Sequence, residues 1–284
     1  MTTILITVSL AAIAVAIAAA WMIRPEPPSP AMRRALAGRK YAHRGLYDNS
    51  GKAPENSMPA FKAAIAKGYG IELDIRLSGD GRVVVFHDAG LERMCGDGRL
   101  VSGCSFEELS SLRLLSSDER IPAFDDFLAA VSGAAPLLVE FKTGLPGGPG
   151  AGELCRKAME ALDSYEGDYV VESFDYAVLE WFRANRPAVM RGQLAMGLRC
   201  YVPAMGARAA AALPFRRRAM LSWLLYNRRG RPHFVSYRFQ DAGLALGLCR
   251  ALGAMSAAWT VKTPAEGASL ARGWDAIVFE GYLP

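Results

Sequence analysis

From residue 40 onward, short β-rich runs and helical runs take turns along the chain. This alternation constrains the fold more than any other feature. With one hairpin return set aside, the helix-linked strands lie near residues 41, 71, 138, 170, 190, 234, 257 and 277. Eight such strands predict an α/β fold, a (β/α)8 TIM barrel spanning residues 40–284. A doubly wound sheet is the alternative, but the chain carries no GxGxxG-type loop. The first helix, over 55–68, has Ser57 as N-cap, Pro59 in its first turn and Gly68 as its stop.

The exception to the alternation is the pair of runs at 70–78 and 82–88. They flank Asp80-Gly81, a dipeptide that favours a two-residue type I′ hairpin. With those two residues as the loop, paired positions sum to 161 and His87 lies opposite Asp74. A three-residue loop would turn His87 away.

Ahead of the barrel, residues 4–23 form an uncharged apolar run of twenty. As a helix it would be roughly 30 Å long, the thickness of a bilayer core. Trp21 sits where an interfacial aromatic would anchor it. We read residues 1–23 as a transmembrane anchor and 24–39, with its RPEPPSP stretch, as a Pro-rich linker. A cleaved signal peptide is the runner-up, but no Lys or Arg precedes the run. A buried globular helix comes third. Arg24, Arg33, Arg34, Arg39 and Lys40 follow the run against the single acid Glu26, which favours a single-pass membrane protein with a cytoplasmic body.

The net charge is +5, without the aromatic-interleaved basic runs of nucleic-acid readers. It suits an anionic membrane surface or a phosphate-bearing substrate, and nothing points to an obligate protein partner. The five cysteines are odd in number and show no CxxC spacing, which argues for buried free thiols over a zinc site or a disulfide scaffold. The stretch 197–232 interrupts the alternation. Its basic flanks around AMLSWLLY fit a barrel helix with solvated ends, or an interfacial element whose Trp223, Leu224 and Leu225 dip into lipid.

In a barrel the chemistry gathers where strands end at their C-termini. His43 and Arg44 close the first strand, Glu72 and Asp74 lie in the second, and Glu140 and Lys142 close the third. Glu72 and Asp74 share a face because strand side chains repeat every two residues. Three acids at one rim suggest an oxygen-ligated Ca²⁺ or Mg²⁺, against the alternative of ion pairs with Arg44, Arg76 or Lys142. His43 and His87 suit a general base and a general acid, and Arg44, Lys142 and a metal suit a phosphoryl group. No Walker loop or nucleophilic serine motif is present.

These residues resemble the glycerophosphodiester phosphodiesterase family. The matching motifs are HRG at 43–45, PENS at 54–57, ELDI at 72–75, DG at 80–81 with VVVFHD at 83–88, and LERMCGDG at 91–98. IPAFDDFL at 121–128, VEFK at 139–142 and AWTV at 258–261 match as well. The resemblance implies a TIM-barrel metal-dependent hydrolase with His43 and His87 as base and acid. Glu72, Asp74 and Glu140 would hold the metal, and Arg44 and Lys142 would grip phosphate. Glu55 would support the site, and Trp259 would wall the substrate pocket unless it is simply a core aromatic. A hydroxyl next to the phosphate would attack first, giving a cyclic phosphate that water then opens. Glu280 stands where the family often has Asp, so its role is open. The expected substrate is a glycerophosphodiester or a lysolipid. A catalytically silent barrel, or a lyase that releases the cyclic phosphate, are the alternatives.

Overall fold

A computed structural model describes residues 2–201 and 212–284; residues 202–211, within the stretch that interrupts the alternation, lie outside the described residues. The strands are β1 (Arg39–His43), β2 (Gly70–Leu77), β3 (Val83–Val85), β4 (Leu137–Phe141), β5 (Tyr169–Ser173), β6 (Arg191–Ala195), β7 (Phe234–Arg238), β8 (Met255–Val261) and β9 (Ala276–Phe279). All but β3 run parallel and close into a barrel, β1 pairing with both β2 and β9. The eight barrel strands are the eight read from the alternation.

Between them lie α3 (Met58–Ala66), α4 (Glu92–Cys95), α5 (Phe106–Ser111), α6 (Phe124–Val131), α7 (Ala151–Leu162), α8 (Tyr176–Asn185), α9 (Phe215–Ser222), α10 (Asn227–Gly230), α11 (Leu244–Ala251) and α12 (Pro264–Leu270). Ahead of β1 come α1 (Thr2–Ile23) and α2 (Pro30–Leu36). Outward strand residues such as Ile71, Leu73 and Val139 pack on helix residues such as Phe61, Phe127 and Phe182. Each buried side chain of this size contributes about 1.5–3 kcal/mol. Inside the lower barrel, Tyr41, Leu138, Phe234 and Met255 form a separate apolar layer. The five cysteines are free; Cys104, Cys155 and Cys249 are buried, whereas Cys95 and Cys200 are half-buried.

One expectation is corrected and two are sharpened. First, the hairpin has a longer loop. Ile75 pairs with Val85 and Leu77 with Val83, and Ser78 N donates to Arg82 O, so paired positions sum to 160 and residues 79–81 form the loop. Phe86, not His87, sits opposite Asp74, its N–H donating to the Asp74 carbonyl. His87 still reaches the barrel mouth, because the strand ends at Val85 and the chain turns beyond it. Arg76 Nε fixes that turn by donating to the His87 carbonyl at 2.7 Å.

Second, the Pro-rich linker makes packing contacts of its own. Ser29 caps α2, and Leu36 enters the lower barrel layer. Glu26 pairs with the fully buried Arg191 at 2.5 Å, and its N–H donates to the Pro232 carbonyl. Third, Leu224 is buried and Leu225 half-buried, as a barrel helix with solvated ends requires; of the three residues that the interfacial alternative places in lipid, only Trp223 is exposed. Among the described residues, α1 is the one helix long and apolar enough to cross a membrane, and it is almost wholly unburied.

Candidate active site

β1 stops at His43 because Arg44 and Gly45 both take positive φ, at 57° and 84°, and turn the chain out of the barrel wall. Gly45 is required there, since a Cβ would lie 2.8 Å from the Ala60 carbonyl carbon. With β1 gone, the upper part of β2 has a free edge, and β3 pairs along it. This step brings residues 83–88 over the barrel mouth.

The register then sets the acids. Asp74, Glu140 and Glu172 stand side by side across β2, β4 and β5, with Glu72 one pleat below Asp74. Glu72, Asp74 and Glu140 are buried, and each offers a carboxylate oxygen within 4.8 Å of the others. Arg44 N donates to Glu72 Oε2 at 2.8 Å, and Asn56 Nδ2 to Asp74 Oδ2 at 2.9 Å. Lys142 Nζ lies 2.8 Å from Glu140 Oε1 and 3.2 Å from Asp74 Oδ1.

These ion pairs do not neutralise the cluster. Burial, with Asp74 and Glu140 nearby, pushes Glu72 well above the usual carboxylate range. Burial likewise raises Glu140 to about 7, against the opposing pull of Lys142. Glu172 is raised by burial and by Glu140, and its Oε2 has no hydrogen-bond partner among the described residues. For Asp74, burial is outweighed by Lys142, His87 and Arg44, which hold it low. Two of the three clustered acids thus resist ionising with the protein's own cations alone. An all-oxygen set with that charge deficit fits a hard divalent cation.

Both histidines are backed by carboxylates. His43 Nδ1 lies 2.6 Å from Glu280 Oε2, and His87 Nδ1 2.5 Å from Asp88 Oδ1. The hydrogen bond from Nδ1 leaves Nε2 of each ring for the cavity that both line. Burial lowers His43, with Glu280 opposing. Burial and the Lys142 ammonium bring His87 down to about 4. Tyr47 Oη donates to Glu280 Oε2 at 3.2 Å, and Lys262 Nζ lies 2.5 Å from Glu280 Oε1. Glu280 is therefore a partner of His43, reached from just beyond the last strand.

Glu55 sits behind Arg44, whose Nη1 donates to it at 2.7 Å, while Arg44 Nε lies 3.4 Å from Asp74. Burial opposes ionisation of Glu55, but Arg93, Arg44 and Asn49 hold it at about 2. Arg93, on α4, was not foreseen. It forks onto both Glu55 oxygens at 2.7 and 2.9 Å and reaches Asp88 Oδ2 at 2.6 Å. One guanidinium thereby ties the support of Arg44 to the support of His87. Asn56 and Asp88 were also missed as contributors, although both stand inside quoted motifs, PENS and HD.

The cavity has a volume of about 650 Å³. One end holds His43, Arg44, Glu72, His87, Glu140 and Lys142. The other is walled mainly by Phe174, Leu194, Met196, Tyr201 and Trp259, with Asp175 and Arg238 among them. Trp259 meets Phe174 edge-to-face at 5.7 Å and is half-buried, so it serves both the wall and the packing behind it.

A TIM barrel with buried acids, two carboxylate-backed histidines and phosphate-matched cations at its mouth has the makings of a phosphoryl-handling enzyme. The chain belongs to the glycerophosphoryl diester phosphodiesterase family, whose family model matches residues 43–212. It is 32% identical over 165 residues to a glycerophosphodiester phosphodiesterase of Bacillus altitudinis, covering 55% of this chain and 66% of that one. A Caldanaerobacter subterraneus glycerophosphodiester phosphodiesterase is 31% identical over 161 residues, 54% of this chain and 65% of that one. The match thus spans just under two thirds of these relatives. Among solved structures, the fold is similar to an Oleispira antarctica phosphodiesterase in complex with the product sn-glycerol-3-phosphate. The TM-score is 0.67 at 23% identity, covering 87% of this chain and 94% of that one. A Thermotoga maritima glycerophosphodiester phosphodiesterase gives a TM-score of 0.61 at 23% identity, covering 84% and 93%.

Proposed function

We propose that this protein is a metal-dependent phosphodiesterase that hydrolyses glycerophosphodiesters or lysolipids to an alcohol and a phosphomonoester. The observation that carries the reading is the pairing of two carboxylate-backed histidines with three buried acids and two cations around one cavity.

Arg44 and Lys142 bind the phosphoryl oxygens and offset their charge. His43 accepts the proton of the hydroxyl next to the phosphate through Nε2, and that oxygen attacks phosphorus. Glu280 stabilises the imidazolium that results. His87 gives its proton to the departing alcohol oxygen. For the second half the roles reverse: His87 takes a proton from water, water opens the cyclic phosphate, and His43 returns its proton to the released hydroxyl. His87 must be protonated to begin, and Asp88 favours that form. The negative charge of a bound phosphodiester acts in the same direction, against Lys142. When bound by Glu72, Asp74 and Glu140, Ca²⁺ or Mg²⁺ would supply Lewis-acid charge to the same phosphoryl group. Glu55 positions Arg44, and Trp259 walls the side that receives the alcohol or acyl portion.

The apolar α1, exposed along its length, supports a single-pass membrane anchor, and the Lys/Arg bias supports a cytoplasmic barrel. The apolar end of the cavity supports a lipid-derived substrate.

The test is turnover of sn-glycero-3-phosphocholine and 1-acyl-lysophosphatidylcholine by purified full-length protein, followed by phosphorus NMR. Phosphomonoester is expected, with activity lost in EDTA and restored by Ca²⁺ or Mg²⁺. No turnover with any metal would overturn the proposal, and a cyclic phosphate that persists would identify a lyase instead.

A further inference from the structure

Among the described residues, the helices on either side of β7 carry most of the barrel's exposed large apolar side chains. Leu244, Leu248 and Leu252 are 66%, 42% and 38% exposed. Spaced four apart, they make one stripe along α11 and just past its end, opposite the buried Ala245, Leu246 and Cys249. On the other side of β7 in the chain, at the two ends of α9, Phe215 and Trp223 are 62% and 51% exposed. Of the seven large apolar residues exposed on the described part of the barrel, these are five; Leu100 and Leu283 are the others. Scattered exposed leucines need no explanation, but three along one helix face do.

Arginine dominates the exposed charge of this sector. Between 212 and 265 the one acid is Asp241, half-buried and paired with Arg238 at 2.9 Å, whereas Arg216, Arg217, Arg228 and Arg250 are exposed there. The sector is also where α1 joins the barrel. Ile23 packs in one cluster with Leu224, Leu246 and Cys249, and Asn227 Nδ2 donates to the Ile23 carbonyl at 3.2 Å. Arg231 lies over the Trp21 ring at 5.2 Å and donates to the Trp21 and Arg24 carbonyls, both at 2.9 Å. The barrel is thus held to the helix end at several points, which limits how it can turn about α1.

The inner side of the same sector reaches the cavity. Leu213 and Leu221 pack with Met196 and Tyr201, two residues of the cavity's apolar wall.

We propose that the side of the barrel formed by α9 and α11 lies on an anionic lipid bilayer, as a continuation of the α1 anchor. The leucine stripe, Phe215 and Trp223 enter the boundary between headgroups and acyl chains, and the arginines meet lipid phosphates. Fixed bonds at the helix end, a rim dominated by arginine and an apolar stripe together match a bilayer better than a protein partner, whose surface would bring complementary acids and bases. In this pose the apolar end of the cavity lies toward the membrane, and a single-chain phosphodiester can pass from bilayer to site without crossing water. The proposal rests on the reading of α1 as a membrane span and of the cavity as a phosphodiesterase site.

The experiment uses full-length protein in vesicles of phosphatidylcholine and phosphatidylglycerol. One arm measures quenching of tryptophan fluorescence by lipids brominated on the acyl chains, comparing wild type with W223F. Extra quenching in wild type is expected; equal quenching in the two proteins overturns the docking. The second arm compares wild type with the L244Q/L248Q/L252Q variant on water-soluble glycerophosphocholine and on bilayer-embedded lysophosphatidylcholine. The variant should keep the soluble activity within twofold and lose at least tenfold on the embedded substrate. An unchanged ratio of the two activities overturns the feeding role. Absence of glycerophosphocholine turnover in wild type would instead strike the phosphodiesterase reading, while the quenching arm still decides the docking.

Discussion

Replacing Glu280 by Gln isolates one charge at the proposed base. The carboxylate lies 2.6 Å from His43 Nδ1, and Tyr47 and Lys262 hold it in place. Glutamine keeps its shape but removes the counter-charge to the imidazolium that forms when His43 accepts a proton. A charge-assisted hydrogen bond is worth about 1.5–3 kcal/mol. At 1.36 kcal/mol per tenfold, kcat should fall roughly 10–150-fold. If the amide turns its NH₂ toward Nδ1, the proton moves to Nε2 and the loss grows to about 10³–10⁴-fold, as for a mis-set tautomer. The pH dependence has a definite sign. Glu280 raises His43 against burial and Arg44, so its loss lowers His43 further and moves the acid limb of kcat/KM to lower pH. The loss should be equal for p-nitrophenyl and choline diesters, because the base acts on the attacking hydroxyl. The released Lys262 is largely exposed and costs little. Steady-state kinetics across pH with both substrates provide the assay. A kcat within twofold of wild type, an acid limb that moves up, or a loss confined to the poor leaving group would refute the reasoning.

Three further outcomes are expected. His87→Ala should lose at least about 10²-fold on choline diesters and far less on p-nitrophenyl diesters, since a good leaving group needs no proton; parallel kinetics with the two substrates check this. His87 and His233 are both brought from 6.5 to about 4, chiefly by burial. The unfolded chain therefore binds more protons than the folded one between those values, and stability falls as pH drops from 6.5 toward 4. The effect is at most ~3 kcal/mol per group, and denaturant melts of wild type and His233→Gln should show the variant less sensitive across that window. Leu36→Ala empties a fully buried position in the lower barrel and should cost about 2–5 kcal/mol in a urea melt; a loss under about 0.5 kcal/mol would restore α2 to the status of passive linker.

The eight barrel strands were legible because each is written locally, as a β-rich run next to a helical one. The shared face of Glu72 and Asp74 was legible for the same reason, since period-2 geometry needs no tertiary information. The hairpin shows where local reading stops. Asp80-Gly81 pointed to a two-residue loop, but Ser78 takes Asp80 by its Oγ at 2.5 Å and closes on Arg82, so Gly79 joins the loop and the register moves by one. His87 reached the site anyway, through a turn that depends on Arg76 and on the edge that β1 leaves free. Neither lies within the hairpin loop.

The sequence by itself determined the barrel strands, the shared face of the rim acids and His43 at the first strand's end, because periodicity is a local property of the chain, whereas the placement of His87 needed the tertiary structure. Only the tertiary structure decided which groups support them. Glu280 meets His43 across 237 positions, Arg93 joins Glu55 to Asp88, and Glu26 finds the buried Arg191 across 165. Barrel closure makes such neighbours, because it sets the first strand beside the last and gathers separate loops at one rim. The sector proposed to face a bilayer depends on the same closure: α9 and α11 flank β7, which pairs with β6 and β8.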